Sequence, residues 1–345
     1  MDRRQFLLAG SSLLAAAPLA APLAPALAQA PVAARIGYIP IIGTAPIFVA
    51  NGEGWLKEAG LNPTFTVFES GPNMIQAFAS GTIDFYVAGI APLAVARSRG
   101  VDVRVVAATA IAENVFVAAP ALAKFFTPGV APAAAFKAHK AATGKAARLA
   151  TQPAGSVPNT VLQYWLWEVA KADKGDIEVV PMGIDATQQA VLAGAVEGGI
   201  VREPALTIVQ TRNPGIKLIA GGQELFPGQP GTVVAGSGAF IGKNPEAVQK
   251  LVNSLVRAAE LIAKNPDKAA PHVGAALGKG IVDPDLIRKA LVSPASTFEI
   301  DPRKIIEPSR AMQAYQVKLG SLEKELPFDG LFETQYYERA VKAGG

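Results

Sequence analysis

Gly-Thr-Ala-Pro occupies positions 43–46 and Gly-Ser-Val-Pro positions 155–158, the same phrase written twice, 112 positions apart. A hydroxyl residue followed by proline marks a helix start. The hydroxyl caps free backbone N–H groups, and proline suits the first turn, where its missing N–H costs nothing. Each phrase follows a short strand-like run, "ARIGYIP" (34–40) and "ARLATQP" (147–153), and each opens a helix-like segment. One copy is an ordinary helix start. Two copies at this distance predict two lobes of like topology.

Further parallels share the offset. Trp55 lies 11 residues after Thr44, as Trp167 does after Ser156, and "QAFASG" (76–81) matches "QAVLAG" (189–194) 113 positions on. Asp84 follows the first of these by three residues and Glu197 the second by three, while Pro92 and Pro204 close the two stretches. Between the markers, apolar strand-like runs ("LNPTFTVFE", "TIDFYVAGI", "VDVRVVAATA") alternate with helix-like segments ending at Gly60, Gly81 and Gly100. Such alternation predicts parallel βαβ units and an α/β fold.

Residues 113–119 read as a strand, residues 120–146 as a loosely structured connection rich in Ala, Lys and Pro, and the chain beyond 231 as mainly helical. The expected organisation is one lobe from residues 31–112 plus 238–345 and a second from 113–237. Residues 1–28 read as a leader. Arg3-Arg4 precede Gln5-Phe6-Leu7 in a twin-arginine pattern, and Ala26-Leu27-Ala28 places small residues for cleavage after Ala28. A membrane anchor is the competing reading, but Pro18, Pro22 and Pro25 interrupt the apolar run. The expected location is the periplasm.

Composition excludes several functions. With no cysteine there is no disulfide, no thiolate metal site and no lipid-modified cysteine. The net charge of +4, without a dense Lys/Arg stripe, gives no nucleic-acid footprint. His139 and His272 stand in polar or loop-like settings and read as solvated surface residues. No metal or cofactor is expected, and the protein reads as a monomer.

In a parallel α/β sheet the helix N-termini lie at the carboxyl ends of the strands, where ligands bind. Two such lobes face to face converge several helix starts on one cleft, and that cleft favours an anion. The backbone at Gly43 and Gly89 and the polar groups of Thr44, Ser70, Asn73, Gln152 and Ser156 are its candidate donors. Plain capping is the alternative for Thr44 and Ser156, and it is compatible with binding through the helix amides. Arg202 follows the apolar run Gly199-Ile200-Val201, so it falls at a strand's carboxyl end, where a guanidinium can hold a carboxylate or sulfonate by two parallel bonds. Its alternative role is an ion pair with Glu203 or Asp185. Tyr38 also ends a strand and either lines the cleft or packs the core. Glu203 either orients an amine on the ligand or neutralises Arg202.

The segments "IGYIPIIGTAPIFVANGEGWLKEAGL", "FESGPNMIQAFASGTIDFYVAGIAPLAVARSRG", "EGGIVREPAL" and "FIGKNPEAVQKLVNSLVRAAELIAKNP" resemble the nitrate/sulfonate/taurine group of periplasmic substrate-binding proteins of ABC importers. The resemblance covers nearly all of the chain after the leader. It implies a type II periplasmic-binding fold, two doubly wound α/β lobes joined by a two-stranded hinge, with a membrane permease and a cytoplasmic ATPase as partners. Members of this group bind nitrate, bicarbonate, taurine, alkanesulfonates, aromatic acids or pyrimidine precursors. Many carry an aromatic residue before the Glu-Pro step, where this chain has Arg202. Two other functions share the fold. An exported enzyme needs a catalytic cluster, and the sequence has no G-x-S-x-G elbow and no Cys/His set. A sensor signalling occupancy to a membrane receptor carries no motif that separates it from a transport protein.

Overall fold

The computed structural model describes residues 30–277 and 283–343; the leader and its cleavage site lie outside the described residues. In chain order the strands are β1 (Val32–Tyr38), β2 (Leu61–Val67), β3 (Phe85–Gly89), β4 (Val103–Ala108), β5 (Ala110–Ile111) and β6 (Val115–Ala118). They continue with β7 (Ala147–Thr151), β8 (Ile177–Pro181), β9 (Gly198–Val201), β10 (Lys217–Ala220), β11 (Thr232–Ser237) and β12 (Thr297–Phe298).

Ten of these strands form two five-stranded sheets of one design. The first runs β2-β1-β3-β11-β4 and the second β8-β7-β9-β6-β10. In the first, β1 lies parallel to both β2 and β3, with Ile36 opposite Phe65 and Phe85, and β11 lies antiparallel between β3 and β4. In the second, β7 lies parallel to β8 and β9, with Leu149 opposite Val179 and Gly198, and β6 lies antiparallel between β9 and β10. The antiparallel strand is in each case the one that follows a crossing between lobes. Strands such as β3 and β6 are buried along their whole length, as sheets covered by helices on both faces require.

The repeat of Asp84 and Glu197 has a structural reason. Each carboxylate accepts a hydrogen bond from the backbone N–H of an arginine on the neighbouring strand, Asp84 from Arg35 at 2.9 Å and Glu197 from Arg148 at 2.7 Å. Each acid's own N–H donates to the carbonyl of that same arginine, at 2.7 and 2.9 Å. Equivalent positions thus pin the entry of β3 to β1 and of β9 to β7.

Three expectations need correction. Strand β11 belongs to the first sheet, so residues 232–237 leave the second lobe to which the sequence assigned them. Residues 120–146 are not loose. They contain helices Pro120–Ala123 and Pro132–Thr143, the latter opened by Pro132 and closed by Gly144 in the left-handed region, φ 72°. Ala135, Phe136 and His139 supply its buried face, and a stretch so rich in small residues hides that pattern. His139 is accordingly 2% exposed and packs edge-on against Phe125, while His272 is half-buried and hydrogen-bonded to Glu53 at 2.9 Å.

The C-terminal helices return to the first lobe, where Pro245–Lys264 packs on Ala45–Gly52 and Gln335–Ala343. They also reach across. Helix Ile306–Lys318 touches Val157–Tyr164 of the second lobe, and Pro284–Leu291 touches Ala205–Arg212. The crossings themselves are short: Ile111 bridges Pro230 antiparallel, and β5 pairs with β12.

Candidate functional site

The carboxyl ends of β1 and β2, the residues after β9 and the helix starts at Ile184 and Ala205 face one another between the lobes. A cavity of about 300 Å³ lies there. Tyr38, Pro40, Ile41, Val67 and Glu69 line it from the first lobe, and Ile184, Asp185, Gln188, Arg202 and Glu203 from the second. Behind it is a much smaller space of about 10 Å³, lined by Gly71, Tyr86, Gly89, Gln152, Ser156, Val157 and Arg202. The starts of helices Gly71–Ala79, Ala91–Ser98 and Val157–Tyr164 converge on this inner space. Arg202 borders both chambers.

Arg202 follows β9 directly and is 3% exposed. Its Nη2 donates to Gln152 Oε1 at 2.9 Å, and no carboxylate lies within ion-pair distance among the described residues. The alternative pairing with Glu203 or Asp185 does not form among the described residues. Burial pulls the guanidinium below its ordinary value, against the opposing charge of Glu113. A guanidinium nonetheless stays protonated and offers five N–H donors. One is spent on a neutral amide. A buried cation so lightly compensated is costly unless an anion joins it.

Glu203 points elsewhere. Its Oε2 accepts from Thr207 N at 3.0 Å and its Oε1 from Thr207 Oγ1 at 2.9 Å, so the carboxylate fastens the start of helix Ala205–Arg212. Burial raises its carboxyl above the ordinary range. Its carbonyl takes a 2.8 Å hydrogen bond from Ile42 N, a backbone link across the lobes. Tyr38 is packed in the core and borders the cavity as well. Its ring packs edge-on to Phe48 at 4.8 Å, its hydroxyl donates to Ala276 O at 3.3 Å, and it borders the larger chamber.

The capping residues divide. Ser70 and Ser156 cap, their Oγ accepting from Asn73 N and Asn159 N at 3.3 Å. Thr44 does not, because a short 3-10 turn, Ile42–Thr44, precedes its helix and its hydroxyl donates to Ile41 O at 2.6 Å. Gly43 and Thr44 border neither chamber. A Cβ at Gly43 would stand 2.2 Å from Glu113 Oε2, so a side chain here would displace a buried carboxyl. Asn73 is exposed, and Gly155, in the left-handed region at φ 80°, faces Val95. Gly89 is at the heart of the interface, since a Cβ there would meet Val157 Cγ2 of the opposite lobe at 2.8 Å. The lobes touch there.

Of the ten candidates, the structure gathers Gly89, Gln152, Ser156 and Arg202 around the inner space and Tyr38, Arg202 and Glu203 around the outer one. Sequence reasoning missed Tyr86, buried on β3 with its hydroxyl donating to Gly89 O at 2.7 Å. It also missed Glu69 and Gln188 in the lining of the larger chamber, and named Asp185 only as an ion-pair partner. Glu113 carried a visible signal, a carboxylate between the largely apolar runs 103–112 and 115–123.

Residues 28–276 match the NMT1-like family. The chain belongs to the NMT1-like family. A provisionally named binding protein of Brucella abortus is 24% identical over 271 residues, 74% of this chain and 78% of that protein. The periplasmic nitrate-binding protein NrtA of Synechocystis superposes with a TM-score of 0.75 at 14% identity, covering 90% of this chain and 89% of that one. The alkanesulfonate-binding protein SsuA of Xanthomonas axonopodis, solved with MOPS, superposes with a TM-score of 0.67 at 19% identity, covering 86% and 96%. The chain thus shares with these proteins the periplasmic binding protein fold.

Proposed function

We propose that this NMT1-like protein is an extracytoplasmic solute-binding protein. It captures a small organic or inorganic anion in the interlobe cleft and hands it to the permease and ATPase of an ABC importer. The guest belongs to the sulfonate, taurine or nitrate class, or is an aromatic or aliphatic acid. One observation carries this reading: Arg202, buried between two lobes, holds a positive charge with a single neutral partner among the described residues, where three helix N-termini meet. Each helix start adds roughly 0.3–1 kcal/mol toward an anion, up to ~2 when partly buried.

The twin-arginine leader supports export, and no helix of the described residues is long and apolar enough to cross a membrane. The names of the structural neighbours support the anion class. The test is a thermal-shift panel on protein stripped of bound ligand, with taurine, alkanesulfonates, nitrate and aromatic carboxylates. A guest at 100 times its Kd stabilises by about 2.7 kcal/mol. No shift with any small anion overturns the reading, and mass spectrometry of copurified small molecules identifies the natural guest.

A further inference from the structure

Glu113 lies at the crossing between lobes, just after β5, and is 3% exposed. Its Oε1 accepts from Thr232 Oγ1 at 2.6 Å, while its Oε2 has no hydrogen-bond partner among the described residues. Two glycines make room for it. A Cβ at Gly43 would stand 2.2 Å from Oε2, and one at Gly231 would stand 2.9 Å from Oε1. The void beside it, lined also by Ile42, Glu203, Ser296 and Phe298, has no space for a water.

An ionised carboxylate whose donors come from Thr232 alone among the described residues, with no solvent, is disfavoured by burial, and the neutral acid is favoured. The charged and titratable groups around it are few. Arg202 attracts its negative form, Glu203 shares the void but is held by Thr207, and Tyr86 faces Arg202 from β3. No ion pair joins Glu113 to Arg202 among the described residues.

We propose that Glu113 is the proton-holding residue that governs anion capture: neutral, it leaves the Arg202 charge free for the guest, and ionised, it competes with the guest for that charge. The inference rests on the reading of Arg202 as the anion's anchor. Its sign follows from linkage. A bound anion makes ionisation of Glu113 harder, so anion and proton bind together, and affinity falls as pH rises through the range where the ligand-free Glu113 loses its proton.

The experiment is calorimetry on the full-length protein after leader removal. Methanesulfonate, taurine, nitrate and benzoate are each titrated in two buffers of different ionisation heat, at several values between about pH 5 and 9. For the anion that binds, the expected result is proton uptake approaching one per anion and a Kd rising by up to about tenfold per pH unit within the window. In Glu113→Gln the anion still binds and this uptake disappears. Anion binding without proton uptake in the wild-type protein overturns the proposal and leaves the anion reading standing, and uptake undiminished in Glu113→Gln overturns it as well. No heat from any of the four anions overturns both. The two-buffer comparison on wild-type protein decides the matter even if the variant does not fold.

Discussion

Glycine at 43 is set by a contact rather than by a turn. Replacing it with alanine drives a methyl group to 2.2 Å from Glu113 Oε2 and 2.8 Å from Thr232 Oγ1, at a site already filled. Gly43→Ala is expected to cost about 1–3 kcal/mol, read as a lower urea midpoint. Arg202→Gln removes the buried cation, so anion binding in the thermal-shift panel is expected to vanish while the fold persists. Two carboxyls give opposite pH signatures. Burial works to raise Asp84, but hydrogen bonds from the Arg35 side chain and backbone outweigh it and hold its carboxyl below 3.8. Its contribution to stability is present above 3.8 and is lost as pH falls through the lower folded value. For Glu113, burial raises the carboxyl above 4.5. The folded chain then keeps a proton that the unfolded chain releases, and stability falls as pH rises from 4.5 toward the folded value. Urea midpoints against pH are expected to be flatter above 4.5 in Glu113→Gln than in the wild-type protein.

Helix starts were the most legible elements, because a start needs only a hydroxyl, a proline and an apolar run in sequence. Ser156→Ala is expected to cost about 1 kcal/mol, whereas Ser156→Gly costs only a few tenths, measured by thermal unfolding. The same reasoning failed at Thr44. Nothing local distinguishes a capping threonine from one whose hydroxyl turns back to Ile41 O, and the 3-10 turn that decides it is held by the lobe-crossing bond from Ile42 N to Glu203 O. Helix Pro132–Thr143 was missed for a different reason. Its buried face is only Ala135, Phe136 and His139, so the contrast between faces is low and the histidine reads as polar. The strand β11 was assigned to the wrong lobe because its apolar run fits any sheet, and its place between β3 and β4 is a matter of topology.

At the scale of the whole molecule the lobes meet along the cleft, with Gly89 against Val157 and Glu69 O accepting from Ile184 N at 3.4 Å. Closure onto a guest requires this approach. Gly89→Ala places a methyl 2.8 Å from Val157 Cγ2 and is expected to hold the cleft ajar. At about 1–3 kcal/mol of crowding, each 1.4 kcal/mol raises the Kd for the bound anion about tenfold. Isothermal titration against the wild-type protein measures it. The C-terminal helices limit the motion as well, since Ile306–Lys318 and Pro284–Leu291 touch the second lobe while their neighbours pack on the first.

The α/β class, the two-lobed repeat and the position of Arg202 at a strand's end are properties of residue order, because strand, turn and helix signals act over neighbouring residues and the repeat compares the chain with itself. The partners of those residues are not. Gln152 rather than an acid beside Arg202, Thr207 as the partner of Glu203, and the carboxyl of Glu113 in the space left by Gly43 and Gly231 all depend on segments distant along the chain being brought within a few ångströms. Which charge is compensated, and which is left for a guest, is therefore decided by the tertiary structure, because burial and distance set electrostatic energies and neither is written in the local sequence.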